Sequence, residues 1–167
     1  MLSEATRTKF DARFGPGSLP FSSFRDDVRL TCPSEVITAV LTFLKDDCSF
    51  DMLVDVTAVD YLEYPSARDR YGVIYVLAST ETNERLNVKV FVNDPEPQLP
   101  SAVPLWRGAG WLEREVFDMF GIEFTGHPDL RRILLPEEFT AFPLRKDYPL
   151  RGRGERHNFP VLTRAES

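Results

Sequence analysis

Three strand-like runs between residues 50 and 92, joined by two short links, leave this chain little freedom of fold. They read "FDMLVDVTAVDY" (50–61), "RYGVIYVLAS" (70–79) and "RLNVKVFV" (85–92). In the first, Met52, Val54, Val56 and Ala58 alternate with Leu53, Asp55, Thr57 and Val59, the period-2 pattern of a half-buried strand. The second is apolar on both faces, which predicts the central strand. The third sets Leu86, Val88, Val90 and Val92 against Arg85, Asn87 and Lys89, so one face enters the core and one is wet. The links "LEYPSARD" and "TETNE" are short and polar and suit an antiparallel meander.

The flanks supply a second layer. "DDVRL" (26–30) suits a short edge strand. In "CPSEVITAVLTFLKDD", Pro33 and Glu35 suit a first helical turn, and Val36, Ile37, Val40, Leu41 and Leu44 recur on one face. "NDPEPQLPSAVP" carries four prolines and cannot continue the sheet. Ser101 suits the cap of a short turn through Trp106, which "RGAG" breaks. A second helix is expected over 111–120, stopped by Gly121. The expected architecture is α+β and two-layer: a small, mainly antiparallel sheet (51–92, with 26–31 at its edge) covered by helices, followed by an extended C-terminal arm. Residues 1–25 read as a partly irregular leader, 26–135 as the domain, and 136–167 as the arm.

Composition narrows function. The 167 residues suit one domain, and no stretch approaches the ~20 apolar residues that span a bilayer. The N-terminus lacks an apolar signal core, so a place on the cytosolic side is expected. Cys32, Cys48, His127 and His157 show no zinc-ligand spacing, and buried thiols are the ordinary alternative. Residues 131–167 hold 8 Lys/Arg against 5 Asp/Glu, while the rest of the chain is strongly acidic. An acidic body argues against nucleic acid as the main partner, even with "RGRGERH" near the end. The arm has prolines at 136, 143, 149 and 160 and aromatics at 139, 142, 148 and 159, a composition suited to pinning side chains into another protein.

The stretch "WLEREVFDMFGIEFTGHPDLRRIL" (111–134) concentrates the charge chemistry. Glu113 and Glu115 stand two apart on a helix and diverge by about 200°, so they do not form an acid/base pair. Arg114 and Asp118 stand four apart and can pair, in the less favourable order. "EREVFD" is not HExxH, and no nucleophile or Gly-rich phosphate loop accompanies it. With Leu112, Val116, Met119 and Phe120 on one face, Trp111 and Phe117 remain for a second, and aromatics beside fixed charges suit a protein interface. The alternative is an ordinary solvated face, for this helix as for Arg131 and Arg132.

The same residues resemble a known signature. Glu113, Arg114, Glu115, Asp118, Phe120, Gly121, His127, Pro128, Arg131 and Arg132 closely resemble the pattern of the 30 kDa subunit family, the C-type subunit of proton-pumping NADH:quinone oxidoreductase (respiratory complex I). The three strand runs and "FPLRKDYPL" (142–150) match in order, so the resemblance covers about 26–150. Beyond it, "RGERHNFPVLTRAES" departs from the acidic, valine-rich continuation expected of the family.

The resemblance implies a non-catalytic subunit of the peripheral arm, with no cofactor, metal or catalytic residue of its own; FMN and Fe-S clusters lie in partner subunits. It implies packing beside the D (49 kDa-type) subunit and near the B and I subunits. It implies peripheral attachment to the cytoplasmic side of the bacterial inner membrane. Glu113, Arg114, Glu115, Asp118, His127, Arg131, Arg132, Arg145, Lys146 and Asp147 are then expected at subunit interfaces. Replacing Arg114 or Arg131 is expected to impair assembly and not one chemical step. Two alternatives stay open: the equivalent subunit of a ferredoxin- or F420-linked quinone reductase or membrane-bound hydrogenase, and a stand-alone enzyme using Glu113, Glu115 or His127.

Overall fold

The computed structural model describes residues 2–155. Five strands form one sheet: β1 (Phe21–Phe24), β2 (Asp27–Cys32), β3 (Met52–Asp60), β4 (Tyr71–Ala78) and β5 (Arg85–Val92), in the order β1-β2-β5-β4-β3. β3, β4 and β5 make the expected antiparallel meander. β2 runs parallel to β5, with Leu30 opposite Val88. A parallel neighbour needs a crossover, and a 3-10 turn at Ser34–Val36 followed by α2 (Ile37–Asp46) provides it. α2 buries Ile37, Val40, Leu41, Phe43 and Leu44 against the sheet. On β4 and β5 the pairs Tyr71–Val92, Val73–Val90, Tyr75–Val88 and Leu77–Leu86 form the floor of the core.

α3 (Ala109–Phe120) covers the same face on the β3 side, through Val116, Met119 and Phe120. A two-stranded parallel sheet, β6 (Gln98–Pro100) with β7 (Glu123–Thr125), ties the segment before α3 to the segment after it. The α+β two-layer expectation stands. Among the described residues no helix is long and apolar enough to cross a membrane.

Five local readings are corrected. First, residues 4–14 of the leader form a helix, α1 (Glu4–Phe14), capped by Ser3, whose side chain accepts the Thr6 N–H. Only Thr6 and Phe10 are buried along it, so its sequence has no apolar stripe to read. Phe10 lies among the rings of Phe14, Phe21 and Phe43, at 4.7, 5.1 and 6.0 Å. The Glu84 carboxylate accepts the Thr6 hydroxyl at 3.0 Å and the Ser3 N–H. Second, β2 is not the edge strand, because Phe21–Phe24 hydrogen-bonds outside it. Third, β4 is interior, but docking of β2 gives the middle place to β5.

Fourth, a β-bulge at Val54 breaks the alternation of β3. Leu53 faces Leu77 and Asp55 faces Val76, so Leu53 joins Val56 and Ala58 on the core face while Met52 and Val54 are exposed. One extra residue inverts the faces on either side of it. Fifth, the four-proline loop does contain a strand, β6, although it belongs to the small second sheet.

Phe10→Ala should cost about 3 kcal/mol in urea unfolding, the usual penalty for emptying a buried aromatic site. A loss under about 0.5 kcal/mol would mean that α1 does not pack on the domain in solution.

A candidate subunit-interface scaffold

The charged side chains of 111–134 bind the protein's own backbone. Asp118 on α3 is fully buried. Its Oδ2 accepts three successive backbone N–H groups, from Ile133 at 3.0 Å, Leu134 at 2.7 Å and Leu135 at 2.9 Å. Its Oδ1 accepts from Arg132 at 2.6 Å. Burial alone would raise the pKa of this carboxyl, yet these N–H groups and Arg132 hold it below the ordinary value. One turn earlier, Arg114 donates through Nε to the Arg131 carbonyl and through Nη2 to the Arg132 carbonyl, both at 2.9 Å. Arg114 and Asp118 therefore grip opposite polarities of one passing segment and do not pair with each other, as their spacing would have allowed.

Arg132 completes this corner. It donates to the Asp118 carbonyl at 3.1 Å and to the Ala141 carbonyl at 3.0 Å. Its guanidinium lies over Phe142 and Phe139, at 5.2 and 5.9 Å from their ring centres. Arg131 points outward and pairs with Asp129, at 2.7 and 2.8 Å, on an exposed surface where such pairs contribute little.

Glu113 is also fully buried. It accepts the Ala102 N–H at 2.6 Å and the Ser101 hydroxyl at 2.7 Å, tying α3 to the turn after β6. Burial pushes its pKa up, against these two donors and the His127 ring. Ser101 also accepts the Val103 N–H at 3.2 Å, so it does organise that turn. His127 accepts the Asp129 N–H on Nδ1 at 3.0 Å, while Nε2 meets the Gly110 carbonyl at 3.0 Å. These partners fit a ring with its proton on Nε2. Glu115 is exposed, as is Trp111 at 64%, with Arg114 stacked on its ring.

The root of the arm closes over the end of α3. The Leu144 N–H meets the Met119 carbonyl at 3.1 Å, and Arg145 donates to the Phe120 carbonyl. The Arg145 guanidinium lies over the Phe142 and Tyr71 rings, at 4.7 and 5.3 Å. Gly121, with φ of 71°, is required twice: for the left-handed end of α3, and because a Cβ would lie 2.5 Å from Phe142. Lys146 donates its backbone N–H to Asp60 at 2.8 Å, and Asp147 meets Arg70 at 2.7 Å.

Of the ten residues expected at interfaces, the structure gathers Arg114, Asp118, Arg132 and Arg145 around the C-terminal half of α3. Glu113 and His127 sit at its N-terminal half, and Lys146 and Asp147 at the sheet end. Glu115 and Arg131 project outward. Sequence reasoning missed Asp60, Arg70 and Asp94, which are distant in sequence and meet only in the fold.

The model of the respiratory-chain NADH dehydrogenase 30 kDa subunit matches residues 30–154. The C-type subunit of the NADH-quinone oxidoreductase of Trichlorobacter lovleyi is 48% identical over 146 residues, 87% of this chain and 89% of that one. The mitochondrial NADH dehydrogenase [ubiquinone] iron-sulfur protein 3 of Candida albicans is 44% identical over 137 residues, 81% of this chain and 48% of that one. Among solved structures, a trypsin-resistant fragment of Nqo5 superposes with a TM-score of 0.69 at 34% identity, covering 77% of this chain and 100% of the fragment. A chain of the archaeal membrane-bound sulfane sulfur reductase superposes with a TM-score of 0.75 at 22% identity, covering 96% of this chain and 92% of that one, a likeness of fold alone.

These findings define a subunit of a respiratory oxidoreductase complex. The chain belongs to the 30 kDa subunit family of the respiratory-chain NADH dehydrogenase.

Asp118→Asn should cost about 3 kcal/mol at pH 7, because Arg132 loses its buried countercharge. The depressed pKa fixes the sign of the pH effect. The carboxylate's contribution is complete above the unfolded value near 3.8 and falls away as pH drops through the lower folded value. Unfolding curves of the two proteins should therefore converge in strong acid. Equal stability at pH 7 would remove the clamp from the account.

Proposed function

We propose that this chain is a non-catalytic, cofactor-free structural subunit of the peripheral arm of NADH:quinone oxidoreductase. In this reading FMN and Fe-S clusters in partner subunits carry electrons from NADH to quinone, coupled to proton translocation. The chain packs beside the D (49 kDa-type) subunit and near the B and I subunits. It meets the cytoplasmic face of the bacterial inner membrane through the complex, as a peripheral subunit. The observation that carries the reading is the use of the two buried carboxylates of the signature. Glu113 and Asp118 are occupied by the protein's own N–H, hydroxyl and guanidinium groups, and nothing in that bonding is arranged for a substrate.

A division of labour follows for the proposed interface residues. Glu113, Arg114, Asp118, His127, Arg132 and Arg145 fix the backbone, Asp147 pairs with Arg70, and Glu115, Arg131 and Lys146 contribute outward charge. Trp111, Ile133, Leu134, Leu144 and Leu150 are exposed on or near these segments and supply apolar contact. Such large apolar groups beside fixed charge match the composition of interface cores. The arm's expected contacts over 156–167, and the last two residues of "RGRGERH", lie outside the described residues.

The alternative electron donors are a second reading, favoured by the occurrence of this fold in the archaeal sulfane sulfur reductase complex. Purification of the native complex decides between the two. Co-purification with NADH- and FMN-binding subunits is expected; a ferredoxin- or F420-linked module, or a hydrogenase, in their place would favour the second reading.

Trp111→Ala should reduce incorporation of the chain several-fold while leaving its own unfolding midpoint unchanged, since hot-spot aromatics act through their partners. Unaltered incorporation would take α3's outer face out of the interface.

A further inference from the structure

Arg70, just before β4, lies far from the signature in sequence and gathers three carboxylates from three parts of the fold. Its Nη2 meets Asp147 of the arm at 2.7 Å and Asp60 at the end of β3 at 3.4 Å. Its Nη1 meets Asp94, just after β5. Asp60 is buried and accepts two backbone N–H groups, from Leu62 at 2.9 Å and from Lys146 of the arm at 2.8 Å. Asp94 also faces Arg145 at 3.9 Å. Arg70 stacks on Tyr71 at 4.9 Å, and Arg145 stacks on the same ring from the arm. Four of these links, through Arg145, Lys146 and Asp147, join the arm to the end of the sheet.

We infer that Arg70 is a positioning residue: with Asp60 it clasps the root of the arm onto the sheet before any partner binds. The arm then leaves the domain from a fixed point and in a fixed direction, with Leu144 and Leu150 outward. Preorganisation of this kind lowers the ordering cost of association. A planar guanidinium suits the task because it bonds several carboxylates at once, which a lysine ammonium does less well. The inference deepens the proposed subunit role and rests on it for the arm's purpose, though not for the clasp itself.

Amide hydrogen exchange on the full-length isolated chain tests it. In the wild type, the Leu144 and Lys146 amides should exchange at least roughly tenfold more slowly than their free-peptide rates, although both residues lie in irregular, exposed chain. Arg70→Met should erase most of the Lys146 protection while the Val88 amide of β5 keeps its own. Asp147→Asn, on the exposed side of the clasp, should weaken it in the same direction without threatening the fold, and Arg70→Lys should lie between wild type and Arg70→Met. Free-peptide exchange at Lys146 in the wild type would overturn the clasp, even if Arg70→Met failed to fold. So would unchanged protection at Lys146 in Asp147→Asn. Native purification separates the two ideas: a clasped chain that joins no respiratory complex would sink the subunit reading alone, and an unclasped chain that assembles normally would sink the clasp alone.

Discussion

The three hydrogen bonds from consecutive backbone N–H groups to Asp118 Oδ2 are the constraint on which the rest of the surface depends. Residues 131–135 form no strand or helix, so their polar backbone needs partners from elsewhere. α3 provides them from side chains one turn apart: Arg114 for the carbonyls, Asp118 for the N–H groups. Without that grip Arg132 loses its carboxylate, Ala141 loses its donor, and the path to the arm is unfixed. The buried charge is tolerable because it is fully compensated by Arg132 and the oriented amides.

Asp60 repeats the device at the other end of the returning chain, accepting a backbone N–H from Lys146 while Arg70 supplies the countercharge. Between these two aspartates the chain crosses the end of α3, where Gly121 allows Phe142 to approach closely. A segment with no regular structure thereby acquires a definite course. Irregular backbone is thus held by buried side chains, with apolar and charged groups left facing outward.

The β3–β4–β5 meander was legible because period-2 patterning and short links leave few alternatives, whereas β1 and the parallel docking of β2 on β5 were not. α2 was legible because its apolar stripe is strong, and the end of α3 because Gly121 marks it. The bulge at Val54 was not, since Val54 fits the alternation and only the pairing with β4 exposes the extra residue. α1 was not, because only Thr6 and Phe10 are buried along it and its sequence shows no continuous apolar stripe. The candidate site divides in the same way. The 111–134 charges stood out locally, but Arg114 chooses carbonyls over Asp118, and Asp60, Arg70 and Asp94 meet only through long-range folding.

The central claim is that the buried charges of α3 shape a surface and take no part in chemistry. It is tested most directly by turnover per assembled complex carrying Glu113→Gln, which keeps the shape of the side chain but removes its ability to exchange a proton. The account predicts NADH:quinone turnover equal to wild type once normalised to assembled complex. Normal assembly with turnover reduced about a hundredfold, the scale of a lost acid–base group, would contradict it.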